Sequence, residues 1–71
     1  MEATMANLVG GIIEQQKRVR EEIIPRYEEI GPNGQIGLMF LRMAVDNGDK
    51  ALASGDIELM IRAYKELESC E

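Results

Sequence analysis

Apolar residues recur at intervals of three and four along nearly the whole chain, and no stretch alternates apolar with polar in the two-residue period of a strand. The clearest segment begins at Gly55 and reads GDIELMIRAYKEL. A Gly-Asp turn leads directly into a helical rhythm at Ile57, Met60, Ile61, Ala63, Tyr64 and Leu67. That combination predicts the second arm of a helical hairpin. Read end to end, the pattern predicts an all-α fold of three helices, over roughly residues 4–30, 35–53 and 56–69: a long kinked helix plus a helical hairpin, assembled as an oligomeric bundle. The whole chain, 1–71, forms a single helical domain on this reading.

Charge spacing supports the same elements. Glu14–Arg18, Glu22–Arg26, Asp46–Lys50 and Glu58–Arg62 all place an acid four residues before a base. In a helix this orientation contributes about 0.2–0.5 kcal/mol per pair. The breaks lie between these runs. Gly31-Pro32-Asn33-Gly34 ends the first helix, because Gly31 suits a left-handed cap and Pro32 cannot continue the hydrogen-bond ladder. At the second break Gly55 closes one helix and Asp56 caps the next by accepting from its free N–H groups.

Three features conflict with the simple picture. Gly10-Gly11 would cost about 1 kcal/mol each inside a helix. Either the first helix starts near Ile12 with residues 1–11 frayed, or Ala6 and Gly10 make a small-residue face for a neighbouring helix. Pro25 lacks an N–H and its ring crowds the carbonyl of Glu21, so the helix should bend there without ending. Asn47-Gly48 is a turn dipeptide, but the Asp46–Lys50 pair spans it and predicts a continuous helix.

The length of the first helix motivates self-association. Twenty-seven residues give a rod of about 40 Å, whereas a compact globule of this chain length is only about 29 Å across. The rod is apolar at both ends, and Val9, Ile12, Gln16, Val19 and Ile23 keep a coiled-coil-like spacing with one polar member. Leu8, Val9, Ile12, Ile13, Val19 and Ile23 are therefore the candidate interface for a second copy, in a homodimer or higher oligomer.

Composition narrows the partners. A 71-residue chain has a core worth only about 3–5 kcal/mol, and the single cysteine, Cys70, cannot close an internal disulfide. Oligomerisation is the remaining staple. The net charge of −5 makes nucleic acid a poor partner. The local basic run Lys17, Arg18 and Arg20 is flanked by Glu14, Glu21 and Glu22, which makes it a mixed helical face. No segment approaches the length of a membrane span, and a free thiol with no export signal points to the cytoplasm.

The residues offer little chemistry. With no histidine, the most versatile acid–base group and Cys/His zinc ligation are both missing. Glu21, Glu22, Glu28 and Glu29 share a helix face, but without a Glu-x-x-His partner they read as a solvated acidic face. Cys70 has no cationic sequence neighbour placed to activate its thiol. No phosphate-binding glycine loop is present. No catalytic, cofactor-binding or metal site is expected. The one remaining feature is a candidate groove between the second and third helices, formed by Met39, Met43, Met60 and Tyr64, since methionines line adaptable binding surfaces. Phe40 and Tyr64 are the expected aromatic anchors of the hairpin, with the Tyr64 ring packed on the second helix near Phe40, Met43 or Asn47.

The GDIELMIRAYKEL segment resembles the second helix of a tetratricopeptide-like hairpin, through Gly55, Asp56, Ile57, Met60, Ile61, Ala63, Tyr64 and Leu67. The likeness covers about 20 residues; the first-helix signature is missing, and no second repeat exists to build a solenoid. The longer stretch from IGPNG through ALASGDIELMIRAYKELE is similar to short bacterial proteins, including prophage-encoded ones, which imply no activity. The expectation is a small non-enzymatic module for protein–protein interaction or self-assembly, of a prophage-associated kind. The alternative is a peptide-binding regulatory adaptor that uses the methionine groove and takes another protein as its partner.

Overall fold

The computed structural model describes the backbone of residues 5–71 and the side chains from Asn7 onward. The described residues are all helical apart from a turn and a short C-terminal end, with no strand among them. Four α-helical segments follow in order: α1 (Met5–Arg18), α2 (Ile24–Ile30), α3 (Gln35–Ser54) and α4 (Ile57–Glu68). A π turn at Val19–Ile23 joins α1 to α2, and a 3-10 turn at Gly31–Gly34 joins α2 to α3.

The expected count of three helices is corrected to two uninterrupted runs, because helical backbone continues from Met5 to Ser54 and only Gly55-Asp56 breaks it. The reason lies in Gly31-Pro32-Asn33-Gly34. The segment tightens its hydrogen bonding to the 3-10 pattern, with the N–H of Gln35 donating to the Pro32 carbonyl, instead of opening into a loop. The chain still reverses there, since Gly31 takes φ 78 and ψ −141. This is not the left-handed cap expected of it, but it is backbone that a side chain would strain. At the second break Gly55 does adopt the left-handed cap, with φ 68 and ψ 7. Asp56 caps α4 through its side chain, accepting from Glu58 N–H at 2.9 Å and Leu59 N–H at 3.4 Å.

Pro25 is absorbed without ending the helix. The turn before it widens, and the Ile24 N–H donates five residues back to the Val19 carbonyl. A π turn inserts one extra residue per turn, which accommodates the missing proline donor and the crowded carbonyl of Glu21. It also keeps both Val19 and Ile23 on the buried face.

The Gly10-Gly11 ambiguity resolves to helix over the described residues, since α1 begins at Met5. Residues 1–4 and the side chain of Ala6 lie outside the described residues, and with them part of the frayed-tail and small-residue readings. Gly11 does allow a close approach, but by an aromatic ring: a Cβ there would lie 3.0 Å from Tyr64 Cε2.

Packing is antiparallel between α1–α2 and α3 and again between α3 and α4, so α4 returns alongside α1. The core is built from Ile12, Val19 and Ile23 of the first rod, Leu38, Leu41, Ala44 and Ala51 of α3, and Met60, Ala63 and Leu67 of α4. Gln16 sits among them, 3% exposed. Its amide Nε2 donates to the Val45 carbonyl at 2.8 Å and to Asp49 Oδ1 at 2.9 Å. Gly48 makes room for it: a Cβ there would stand 2.6 Å from that Nε2 and 3.3 Å from Leu67 Cδ1. The turn dipeptide Asn47-Gly48 is thus an interior helical position, where the glycine serves a crossing of three elements.

Of the four expected i,i+4 pairs, Asp46–Lys50 closes at 3.2 Å. Both partners are exposed, so it contributes little. Arg18 turns away from Glu14. It donates from Nε to Gln15 Oε1 at 2.9 Å and from Nη2 to the carbonyls of Leu67 at 2.9 Å and Cys70 at 3.1 Å. A cation there satisfies carbonyls left open at the end of α4 and opposes the helix dipole.

The two glycines give opposite expectations. Gly10→Ala meets open space and should stabilise the fold by up to about 1 kcal/mol, the helix-propensity difference. Gly48→Ala carries the same propensity gain but must displace the bonded Gln16 amide, and overpacking of this kind costs about 1–3 kcal/mol. Urea denaturation followed by circular dichroism should place the Gly10 variant above the parent and the Gly48 variant below it.

Candidate interaction surface

The residues expected to face a second copy are mostly consumed by the chain's own fold. Ile12, Val19 and Ile23 are core residues, at 0%, 0% and 2% exposure. Leu8 and Val9 are partly buried against the same core. Ile13 alone of the six is exposed. The expectation that the first rod outruns its cover is corrected by α3. This helix runs for 20 residues antiparallel to the rod, and α4 fills the adjoining groove.

The methionine groove is likewise not assembled as expected. Met60 is buried in the core, whereas Met39 and Met43 face outward from α3. Tyr64 is half-buried and packs on Gly11 of α1, not on α3 near Phe40, Met43 or Asn47. Phe40, expected as an anchor of the hairpin, is 66% exposed. On α4 the buried stripe is Met60, Ala63 and Leu67, leaving Ile57 and Ile61 exposed. The apolar rhythm of α4 has two readable faces, and the expected stripe mixed them.

These displacements converge on one surface. On α3 the inward face carries Leu38, Leu41 and Ala44, and the opposite face carries Ile36, Met39, Phe40 and Met43 at helical spacing. From Ile36 to Val45 the only charged residue is Arg42. Its guanidinium lies 3.9 Å from Glu28 of α2, off the apolar stripe. A helix that is apolar on both faces is a buried helix in the usual run of proteins. Here one face looks outward, so the first ten residues of α3 carry more apolar surface than the single chain covers.

Beside this stripe lies a groove of about 490 Å³ between α2, α3 and the end of α4. Tyr27, Phe40, Met43 and Cys70 are among its walls. Its floor is shaped by close backbone approach: the Tyr27 ring lies against Gly37 of α3 where a Cβ would sit, and the Tyr27 carbonyl lies against Gly34. The Tyr27 hydroxyl donates to the backbone oxygen of Glu71 at 3.0 Å, which draws the C-terminal end across the groove. Tyr27 was not among the expected site residues. Its signal in the sequence was the pair Gly34 and Gly37 one turn apart, small residues that make sense only opposite a bulky neighbour.

Two titratable groups near the surface, Cys70 and Tyr64, have their protonated forms favoured. The Cys70 thiol donates to the Glu66 carbonyl at 3.3 Å. Burial pushes its pKa above the usual 9.0; the Arg18 guanidinium opposes that shift and Glu66 adds to it. A cationic neighbour therefore does exist, contrary to the sequence expectation, but it comes from α1 and is outweighed. The Tyr64 phenol is held above its ordinary 10.0, first by its hydrogen bond to Glu68 and then by the charge of that carboxylate. Among the described residues no group of three or more acidic or cysteine side chains is placed to hold a metal ion, and no helix is long and apolar enough to cross a membrane.

Comparison with protein families, curated proteins and solved structures finds no match to this chain. The tetratricopeptide-like rhythm of residues 55–67 therefore rests on the sequence alone.

The Cys70 environment gives a direct test. At pH 8 its alkylation by iodoacetamide should run slower than that of an unstructured cysteine peptide, because the thiolate is the reacting form and burial disfavours it. Unfolding the chain in urea should remove the difference, as followed by mass spectrometry.

Proposed function

We propose that this protein is a small non-enzymatic helical module for protein–protein interaction, working through self-assembly in the cytoplasm. The observation that carries the reading is the outward stripe of α3: Ile36, Met39, Phe40 and Met43 are 71%, 64%, 66% and 53% exposed. A contiguous apolar patch of a few hundred Å² on a soluble chain marks a surface with a partner. An aromatic with methionines at its centre fits the composition of interface cores. The absence of histidine from the sequence favours a binding role over acid–base chemistry. The interface of this reading is the α3 stripe, in place of the α1 residues that the core has taken.

A second reading has its own support. The groove beside Phe40 and Met43 has the size and apolar walls to take one or two side chains of a peptide. A regulatory adaptor would use it for a partner's apolar residues, with the methionines adapting to shape.

Light scattering at micromolar concentration separates the two. Self-assembly gives at least twice the 8.0 kDa chain mass, and Phe40→Glu returns the chain to monomer with its helical circular dichroism intact, since residue 40 is not in the core. A monomeric, cooperatively folded parent protein overturns the self-assembly reading and leaves the adaptor reading in its place.

A further inference from the structure

We infer that the occupant of the α3 stripe is a second copy of this chain, packed antiparallel about a two-fold axis that passes between Met39 and Phe40. The inference rests on the self-assembly reading above and adds the direction and the register.

Three observations support it. The first is the spacing of the stripe. Ile36, Met39, Phe40 and Met43 are separated by three, one and three positions. The same intervals appear when the helix is read backwards. A two-fold interface uses one patch on both subunits and requires that patch to be complementary to itself. Antiparallel pairing of two α3 helices sets Ile36 level with Met43 of the partner subunit and brings the two Phe40 side chains close to the axis. Every apolar residue of the stripe then meets another one.

The second is the placement of charge. Arg42 lies off the stripe and is occupied by Glu28 at 3.9 Å. Beyond Met43 the same face of the helix turns polar, with Asn47 and then Lys50. The apolar patch thus ends on the C-terminal side at a polar rim, and no charge is buried by the pairing. A longer apolar partner helix laid along α3 would have to cover Lys50, whereas the second copy need not.

The third is area. Four side chains of this size, 53% to 71% exposed, present roughly 500 Å² per copy, hence roughly 1,000 Å² in the pair. That is where specific interfaces begin, so the expected dimer is reversible, with dissociation in the micromolar range. The groove walled by Tyr27 and Met43 opens beside the stripe and gives apolar side chains of the second copy room to interdigitate.

Cysteine cross-linking in the full chain tests the register. With Cys70→Ser as background, Ile36→Cys, Phe40→Cys and Met43→Cys are each prepared and checked for unchanged helical circular dichroism. In the inferred pair the two copies of residue 36 are offset by seven positions, roughly 10 Å along the axis. That exceeds the roughly 4.4–6.8 Å Cα separation of a disulfide. Mild oxidation should therefore link Phe40→Cys to itself. It should link Ile36→Cys to Met43→Cys on mixing at least about ten-fold more than either links to itself.

Preferential self-linking of Ile36→Cys shows parallel packing and overturns the antiparallel register. A dimer by light scattering that forms none of these links places the interface elsewhere and overturns the inference, while self-assembly stands. A background chain that scatters as a monomer overturns both.

Discussion

The fold depends on one crossing point. Gln16 of α1 enters the interior beside Gly48 of α3 and Leu67 of α4, and its amide bonds the Val45 carbonyl and the Asp49 carboxylate. A buried amide without partners costs on the order of 1–3 kcal/mol, a large share of the stability of so small a core. The pairing of Gln16 with this one carbonyl and this one carboxylate therefore selects a register between α1 and α3. Purely apolar contacts at Ile12 and Val19 would tolerate sliding, because one branched side chain fits a neighbouring hole nearly as well as the next. Gly48 matters through what it omits: a side chain there would take the volume the amide needs.

Once that register is set, the remaining contacts close on α4. Arg18 lies one half-turn beyond Gln16 and reaches the carbonyls of Leu67 and Cys70. Tyr27 reaches the backbone oxygen of Glu71. The first rod thus holds the end of α4 at two levels, with the π turn between them. That turn has a consequence beyond relieving Pro25. The extra residue rotates α2 relative to α1, so that Val19 and Ile23 stay in the core while Tyr27 lies over Gly34 and Gly37. A regular helix through the same sequence would carry these residues around the cylinder at a different angle.

The economy of this core explains the surface that is left over. Alanines and one glycine occupy much of the buried face of α3, at Ala44, Gly48 and Ala51, so the helices approach closely and little volume remains for large side chains. The only phenylalanine is therefore outside the core, together with Ile36, Met39 and Met43. Close packing of small residues and an apolar outer stripe are two aspects of the same distribution. Leu38 and Leu41 are the large side chains on the buried face of α3, and Ile36, Met39, Phe40 and Met43 lie exposed on the far side.

Much of the architecture is legible from the sequence. Helical content follows from the three-and-four periodicity, and the second break follows from Gly55 and Asp56, whose local chemistry suffices to define a cap. The passage of the helix through Asn47-Gly48 also follows from the Asp46–Lys50 pair that spans it, whereas Pro25 is passed by the π turn before it. These are properties of neighbouring residues, carried by backbone geometry over one or two turns. Which apolar face points inward is a different kind of question. On α3 and α4 both faces carry apolar residues at helical spacing, so periodicity alone left Met60 and Ile61, or Leu41 and Phe40, equivalent. Only packing decided among them, because burial depends on which small residues let two helices approach: Gly11 under Tyr64, Gly37 under Tyr27, Gly48 under Gln16. Those pairs are far apart in the chain and close in space. The same holds for Arg18, whose sequence partner Glu14 is one turn away but whose structural partners lie at the end of α4. The sequence by itself determined the helical content, the cap at Gly55-Asp56 and the continuation through Pro25; the tertiary structure decided how the chain passes Gly31–Gly34 and which face each helix buries, since that choice is made by volume shared between distant segments.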